Sequence, residues 1–211
     1  MKKIFQKAFL FVATMTLSLG FASCSDDDGP VTEGNVVPAT ELSAVANTYV
    51  NDIINPTYKD LRDNAKVLKD ACDKAYANAK AGNLSDADIT DACEAFKNAR
   101  REWERSEAFL YGAAANNEID PHIDSWPLNR TLLHSYFATG KFSDAALEDA
   151  SILGFHALEF ILFRDGQPRK VAEFKGNDTY KGFTDVKGSE ELKYAEAVIE
   201  DLVNHVYELE V

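Results

Sequence analysis

The stretch Ile152–Phe163 is apolar on every side except at His156 and Glu159, which lie three residues apart and share one face if the segment is helical. A carboxylate inside such packing costs several kcal/mol unless something compensates it. A neighbouring imidazolium, an arginine or a divalent cation would each serve. Gly154 sits one turn before Leu158, and glycine inside an apolar helix costs about 1 kcal/mol, so a close approach by a ligand or another backbone is expected there. The plain alternative is a satisfied His–Glu hydrogen bond in the core.

Further oxygen donors stand elsewhere. Glu104 and Glu107 are three apart beside Trp103; they read either as donors or as a solvated face paired with Arg100, Arg101 or Arg105. Asp124 opens Asp124-Ser125-Trp126-Pro127, either as a ligand or as a turn cap, with Trp126 plugging the helices and Pro127 fixing the chain. His122 reads as a loop residue, and His134 and His205 as helix-surface residues. One imidazole among carboxylates suits iron, zinc and calcium, in that order. A zinc-peptidase helix needs a second His four residues after the first, with a Glu base between; Ala157 and Phe160 stand where HExxH would place the base and that His, and Phe160 also breaks the inverted form. No nucleotide loop, Cys–His pair or Ser-His-Asp set is recognisable.

These residues must be held by helices. Leu42, Ala46, Tyr49 and Ile53, then Leu61, Ala65, Leu68, Cys72, Tyr76 and Ala79, recur in steps of three and four. Pro56 predicts a break near Asn55. Gly82-Asn83 stops this run, and Ser85 caps a second helix carrying Ile89, Cys93, Phe96, Arg100, Trp103, Glu107 and Leu110 down one side as far as Gly112. Cys72 and Cys93 lie symmetrically about that turn, so they read as a disulfide worth about 3 kcal/mol or as two small buried hydrophobes. Residues 112–128 read as a structured loop. A short helix is predicted over 129–138, another from Ser143 to Phe163, a loop over 169–188, and a last helix from Ser189 to Val211. No stretch alternates with period two. The fold class is therefore all-α, an antiparallel helical bundle.

The chain has 211 residues, enough for one domain, and a formal charge of -13, with 22 Lys plus Arg against 35 Asp plus Glu. With no basic cluster, nucleic acid is excluded as a partner. Residues 1–23 form a signal peptide, with Lys2, Lys3 and Lys7 ahead of an apolar run. Phe21-Ala22-Ser23-Cys24 is similar to a bacterial lipobox, which implies lipidation of Cys24 and a membrane partner through that anchor. Residues 24–38, acidic and rich in Gly and Pro, read as a flexible tether to a helical domain over 39–211.

Gly154-Phe155-His156-Ala157-Leu158-Glu159 resembles the GxHxxE motif of the imelysin family. Trp103 with Glu104 and Glu107, the Phe109–Gly112 helix end and Ile123-Asp124-Ser125-Trp126-Pro127 resemble imelysin segments as well. The resemblance implies one bundle of a two-bundle fold, with the second half missing and the chain a truncated product. It implies an outer-membrane lipoprotein, periplasmic or surface-exposed, holding iron or zinc at His156, Glu159, Glu107, Glu104 and Asp124, with envelope iron-uptake components as partners. It leaves two other readings open, a metallopeptidase and a non-catalytic adhesin or scaffold.

Overall fold

The computed structural model describes residues 37–139, 147–180 and 183–209. The signal peptide, Cys24 and most of the tether lie outside the described residues. Two compact units divide the chain, one ending at Val45 and one running from Ala46 to Val211. Helix α1 (Ala39–Tyr49) begins in the first and ends in the second.

Three long helices make the frame of the second unit: α2 (Asn55–Lys80), α3 (Asp86–Ser106) and α8 (Gly188–Tyr207). Helix α2 packs along both α3 and α8, because its buried stripe follows the predicted steps of three and four: Tyr58, Leu61, Ala65, Leu68, Cys72 and Ala75. The break expected at Pro56 takes the form of a π-helical turn, Val50–Ile54, with the proline in the first turn of α2, where a missing N–H does no harm. Gly82 ends the hairpin with φ of 73°, and Ser85 caps α3 in a reciprocal capping box with Asp88. Burial works to raise the Asp88 carboxyl, but hydrogen bonds from Ser85 and Lys74 outweigh it and hold it down at about 2.

Shorter pieces close the unit. Helix α3 passes into a 3-10 turn at Glu107–Phe109, so it stops short of Gly112. The expected loop over 112–128 contains two short helices, α4 (Ala113–Asn116) and α5 (Ile119–Ile123). Helix α6 (Arg130–Thr139) falls where predicted, with the Asn129 side chain accepting from the Leu132 amide. The start expected at Ser143 lies outside the described residues. What is described of that segment departs from one long helix: a 3-10 turn at Ala150–Ile152, then extended backbone at Leu153, and only then α7 (Gly154–Leu162).

The absence of strands is also corrected. Two antiparallel hairpins follow α7, one pairing β1 (Phe163–Arg164) with β2 (Gln167–Pro168), the other β3 (Asn177–Tyr180) with β4 (Phe183–Lys187). Both are too short for an alternation to register. The long-helix, antiparallel character of the fold stands. Cys72 and Cys93 are both buried free thiols, and Cys93 Sγ points to the Leu162 carbonyl oxygen 3.5 Å away.

The hairpins are pinned by buried charge. Arg169 and Glu191 are 2% and 0% exposed and form a two-armed pair with both N···O distances at 2.9 Å. Arg169 also donates to the Ile161 and Glu173 carbonyls and lies over the Phe174 ring. Arg164 adds bonds to Asp178 (2.8 Å) and Glu191 (3.2 Å). Burial pushes the Glu191 carboxyl up, and the two guanidiniums oppose it. Removing one partner strands a buried charge, whereas removing both does not. Glu191→Leu is therefore expected to lower unfolding free energy by about 3–5 kcal/mol in denaturant titration, and Glu191→Leu with Arg169→Met to recover most of it.

Candidate functional site

Asp124 follows α5, and its side chain is 8% exposed. Trp103 Nε1 of α3 donates to its Oδ2 at 2.8 Å. Arg100, one turn earlier on α3, donates to its Oδ1 and holds Glu104 at 2.6 Å with its other nitrogen. His156 of α7 brings Nε2 to 3.2 Å from the same Oδ1. Two helices thus converge on one carboxylate.

Gly154 makes this convergence possible. Its φ is 69°, and a Cβ there would lie 2.0 Å from the Ile123 carbonyl oxygen. The expected close approach is real and comes from backbone, but the glycine opens α7 rather than lying within a longer helix. Helix α7 is pressed onto the end of α5, which sets His156 beside Asp124.

A carboxylate can only accept, so in the neutral ring Nε2 carries the proton and Nδ1 presents its lone pair. Nδ1 is buried and makes no hydrogen bond, while Glu159 Oε2 lies 3.5 Å away. Such an orphan beside an acid fits a cation or a ligand proton. The donor set also fits, since a metal-ligating histidine ordinarily gives its second ring nitrogen to a carboxylate, as His156 does to Asp124.

The expectation that Glu159 is buried is corrected: its side chain is 57% exposed, and the buried acid is Asp124. Glu159 stands on a cavity of about 390 Å³ lined also by Trp126, His156, Phe160, Arg164 and Tyr180. Trp126 does not plug the helices. It is 72% exposed and lies against the imidazole, ring centres 4.7 Å apart. Pro127 joins the cavity wall, and Ser125 follows Asp124 without a described contact to the site.

Of the five expected donors, the structure gathers His156, Asp124 and Glu159. Glu104 is tied to Arg100. Glu107 is exposed in the 3-10 turn, where partial desolvation and the charges of Glu104 and Asp124 hold its carboxyl above the usual range. Asp120 is raised in the same way, by burial and by Asp124. The sequence places Arg100 on the same side of the helix as Trp103 and as a partner of the neighbouring acids, but carries no signal for its bond to Asp124. Arg130 and Arg164, which line the cavity, carried no sequence signal. His122, expected in a loop, sits in α5 with Nε2 2.9 Å from Asp201 Oδ2.

Gly154→Ala is expected to cost at least about 2 kcal/mol, from the positive φ and the clash with Ile123, read as a lower denaturant midpoint. Intrinsic tryptophan emission should shift with it, because Trp126 and Trp103 flank the displaced helix.

Over 120 residues the chain is 29% identical to iron-regulated protein A of Synechococcus elongatus, covering 57% of this chain and 31% of that protein. A crystal structure of an iron-regulated protein A precursor from Parabacteroides distasonis matches with 33% identity and a TM-score of 0.70, over 84% of this chain and 46% of that one. An imelysin peptidase from Bacteroides ovatus matches with 36% identity and a TM-score of 0.53, over 63% of this chain and 39% of that one. The chain thus spans less than half the length of these relatives. The imelysin family model matches residues 54–211, a span that holds the glycine, histidine and acid of α7 together with the Asp124 cluster, and the chain belongs to the imelysin family.

Proposed function

We propose that this chain is an imelysin module of the cell envelope that binds iron, as the ion or as an anionic chelate, through His156 and Glu159. The observation that carries the reading is the buried, unbonded Nδ1 of His156, aimed beside the Glu159 carboxylate while Asp124 fixes the other ring nitrogen. Asp124 acts here as an orienting group and not as a ligand, because Arg100 and Trp103 already use its oxygens. Two protein donors leave most of the coordination sphere to water or to oxygens of a chelating ligand. Arg130 on the cavity wall favours a ligand with negative charge, whereas Arg164 is already engaged by Asp178 and Glu191, and Trp126 offers the ligand an aromatic face. The relatives named iron-regulated protein A support iron over zinc.

The envelope part of the proposal rests on residues 1–24: a signal peptide removed before Cys24, and a lipid on that cysteine. No helix among the described residues is long and apolar enough to cross a membrane. Cys24→Ser is expected to move the chain from the membrane fraction to the soluble fraction, read by immunoblot; retention in the membrane would count against the anchor.

Calorimetry on the full chain in mild detergent tests the site, with ferric citrate as the probe. His156→Ala should abolish the event and Glu159→Gln weaken it more than tenfold. Asp124→Asn should weaken it by about 10–100-fold through loss of orientation. Equal affinities in wild type and His156→Ala would sink the reading.

A further inference from the structure

A second cluster shares no residue with the cavity lining. His122 projects from the short helix α5 to α8, where Asp201 and His205 stand four apart and share a face. His122 Nε2 is 2.9 Å from Asp201 Oδ2, and the two imidazole rings stack with centres 3.7 Å apart and planes 22° from parallel. His205 Nδ1 lies 2.9 Å from the Asp201 backbone carbonyl, an acceptor only, so that nitrogen carries a proton and Nε2 keeps its lone pair. One donor atom from each of the three residues lies within 4.8 Å of the other two. Among the described residues this is the group of three His, Cys, Asp or Glu donors compact enough to hold an ion.

We infer that His122, Asp201 and His205 form a binding site for a divalent transition-metal ion, separate from the His156 cavity. The chemistry of the set supports this. Two imidazoles and one carboxylate are the donors of three-ligand zinc and ferrous centres, which leave positions open for water. The side chains are partly exposed, at 21%, 13% and 24%, so an ion can enter without unfolding the helices. Small rotations bring donors from their present spacing to the roughly 3.3 Å separation that a tetrahedral zinc with bonds of about 2.0–2.1 Å requires. The hydrogen bond from His205 Nδ1 to the carbonyl one turn earlier supplies the outer contact that fixes a ligating ring. The present His122–Asp201 contact is then the metal-free state of the site, with a proton where the ion would sit.

Cobalt(II) and zinc(II) alone are the probes, added to the full chain in mild detergent and carrying His156→Ala so that the cavity cannot contribute. One equivalent of cobalt should give visible absorption of a low-coordinate site, and zinc should displace it. His205→Gln and His122→Ala should each weaken cobalt binding at least tenfold. Unchanged circular dichroism of His205→Gln, on a partly exposed helix face, shows that the fold is intact. The inference is overturned if the His156→Ala chain takes up no cobalt, or if His205→Gln and His122→Ala bind it as well as their parent. Ferric citrate binding that survives His205→Gln but not His156→Ala keeps the two sites distinct, so either can fail alone.

Discussion

A carboxylate withdrawn from water must have its lone pairs answered by donors, and Asp124 obtains them from Trp103 and Arg100 of one helix and His156 of another. This requirement reaches far into the fold. Arg100 and Trp103 must lie one turn apart on α3, with Trp103 fully buried so that its indole N–H points at a fixed place. The Asp124 backbone must follow directly from α5, whose Ile119 and Ile123 are both buried. Helix α7 must begin where Ile123 ends, a contact open only to a residue without a side chain, and Gly154 fills it. Each element is placed by apolar burial, but their mutual register is set by one acid.

That register decides which groups do what. An Asp engaged by a guanidinium and an indole offers little to a cation, and Arg100 itself would repel one. Charge on the Asp124 side of the imidazole is therefore largely neutralised, while the Nδ1 side faces Glu159 and the cavity. The ring is polarised from one nitrogen toward the other, an arrangement that strengthens a lone pair for metal or for a ligand proton. Trp126 lies against the ring and restricts its rotation. Glu104 holds the far arm of Arg100, so an acid first weighed as a ligand steadies the group that steadies Asp124.

Much of this was legible in the residues. The helical stripes of α2, α3 and α8 follow directly from steps of three and four, because those helices are long and each buries one face. The Ser85 cap and the Gly82 stop carry local signals that tertiary contacts do not alter. The departures have a common origin in short or tertiary-defined elements. Residues 152–163 are apolar throughout because they are buried from several sides, and that pattern cannot tell where a helix begins; the positive φ of Gly154 decides it. Glu159 was expected inside for the same reason, since an all-apolar neighbourhood hides which face meets the cavity. The hairpins over 163–187 are held by Arg169 and Glu191, which lie 22 residues apart in sequence. No local pattern announces such a pair, as each charge alone reads as surface. His122 illustrates the limit again: its partner Asp201 is 79 residues away.

The two His-bearing clusters share a mechanical element. Helix α5 is five residues long, and its end supplies His122 to one cluster while the next residue but one, Asp124, serves the other. A helix this short has almost no stability of its own, so its position is fixed by Ile119 and Ile123 in the core and by its polar contacts at both sides. On the α8 side it is bonded to Asp201; on the α3 and α7 side it is held by Arg100, Trp103 and the Gly154 contact. Tightening the grip on His122 restrains the same backbone that orients Asp124, and through it His156. With the proposed ion in place, the helix would be clamped to α8 by bonds stronger than the present hydrogen bond, and the imidazole of the cavity would be held by a stiffer support. The coupling needs no longer pathway than the covalent chain from His122 through Ile123 to Asp124.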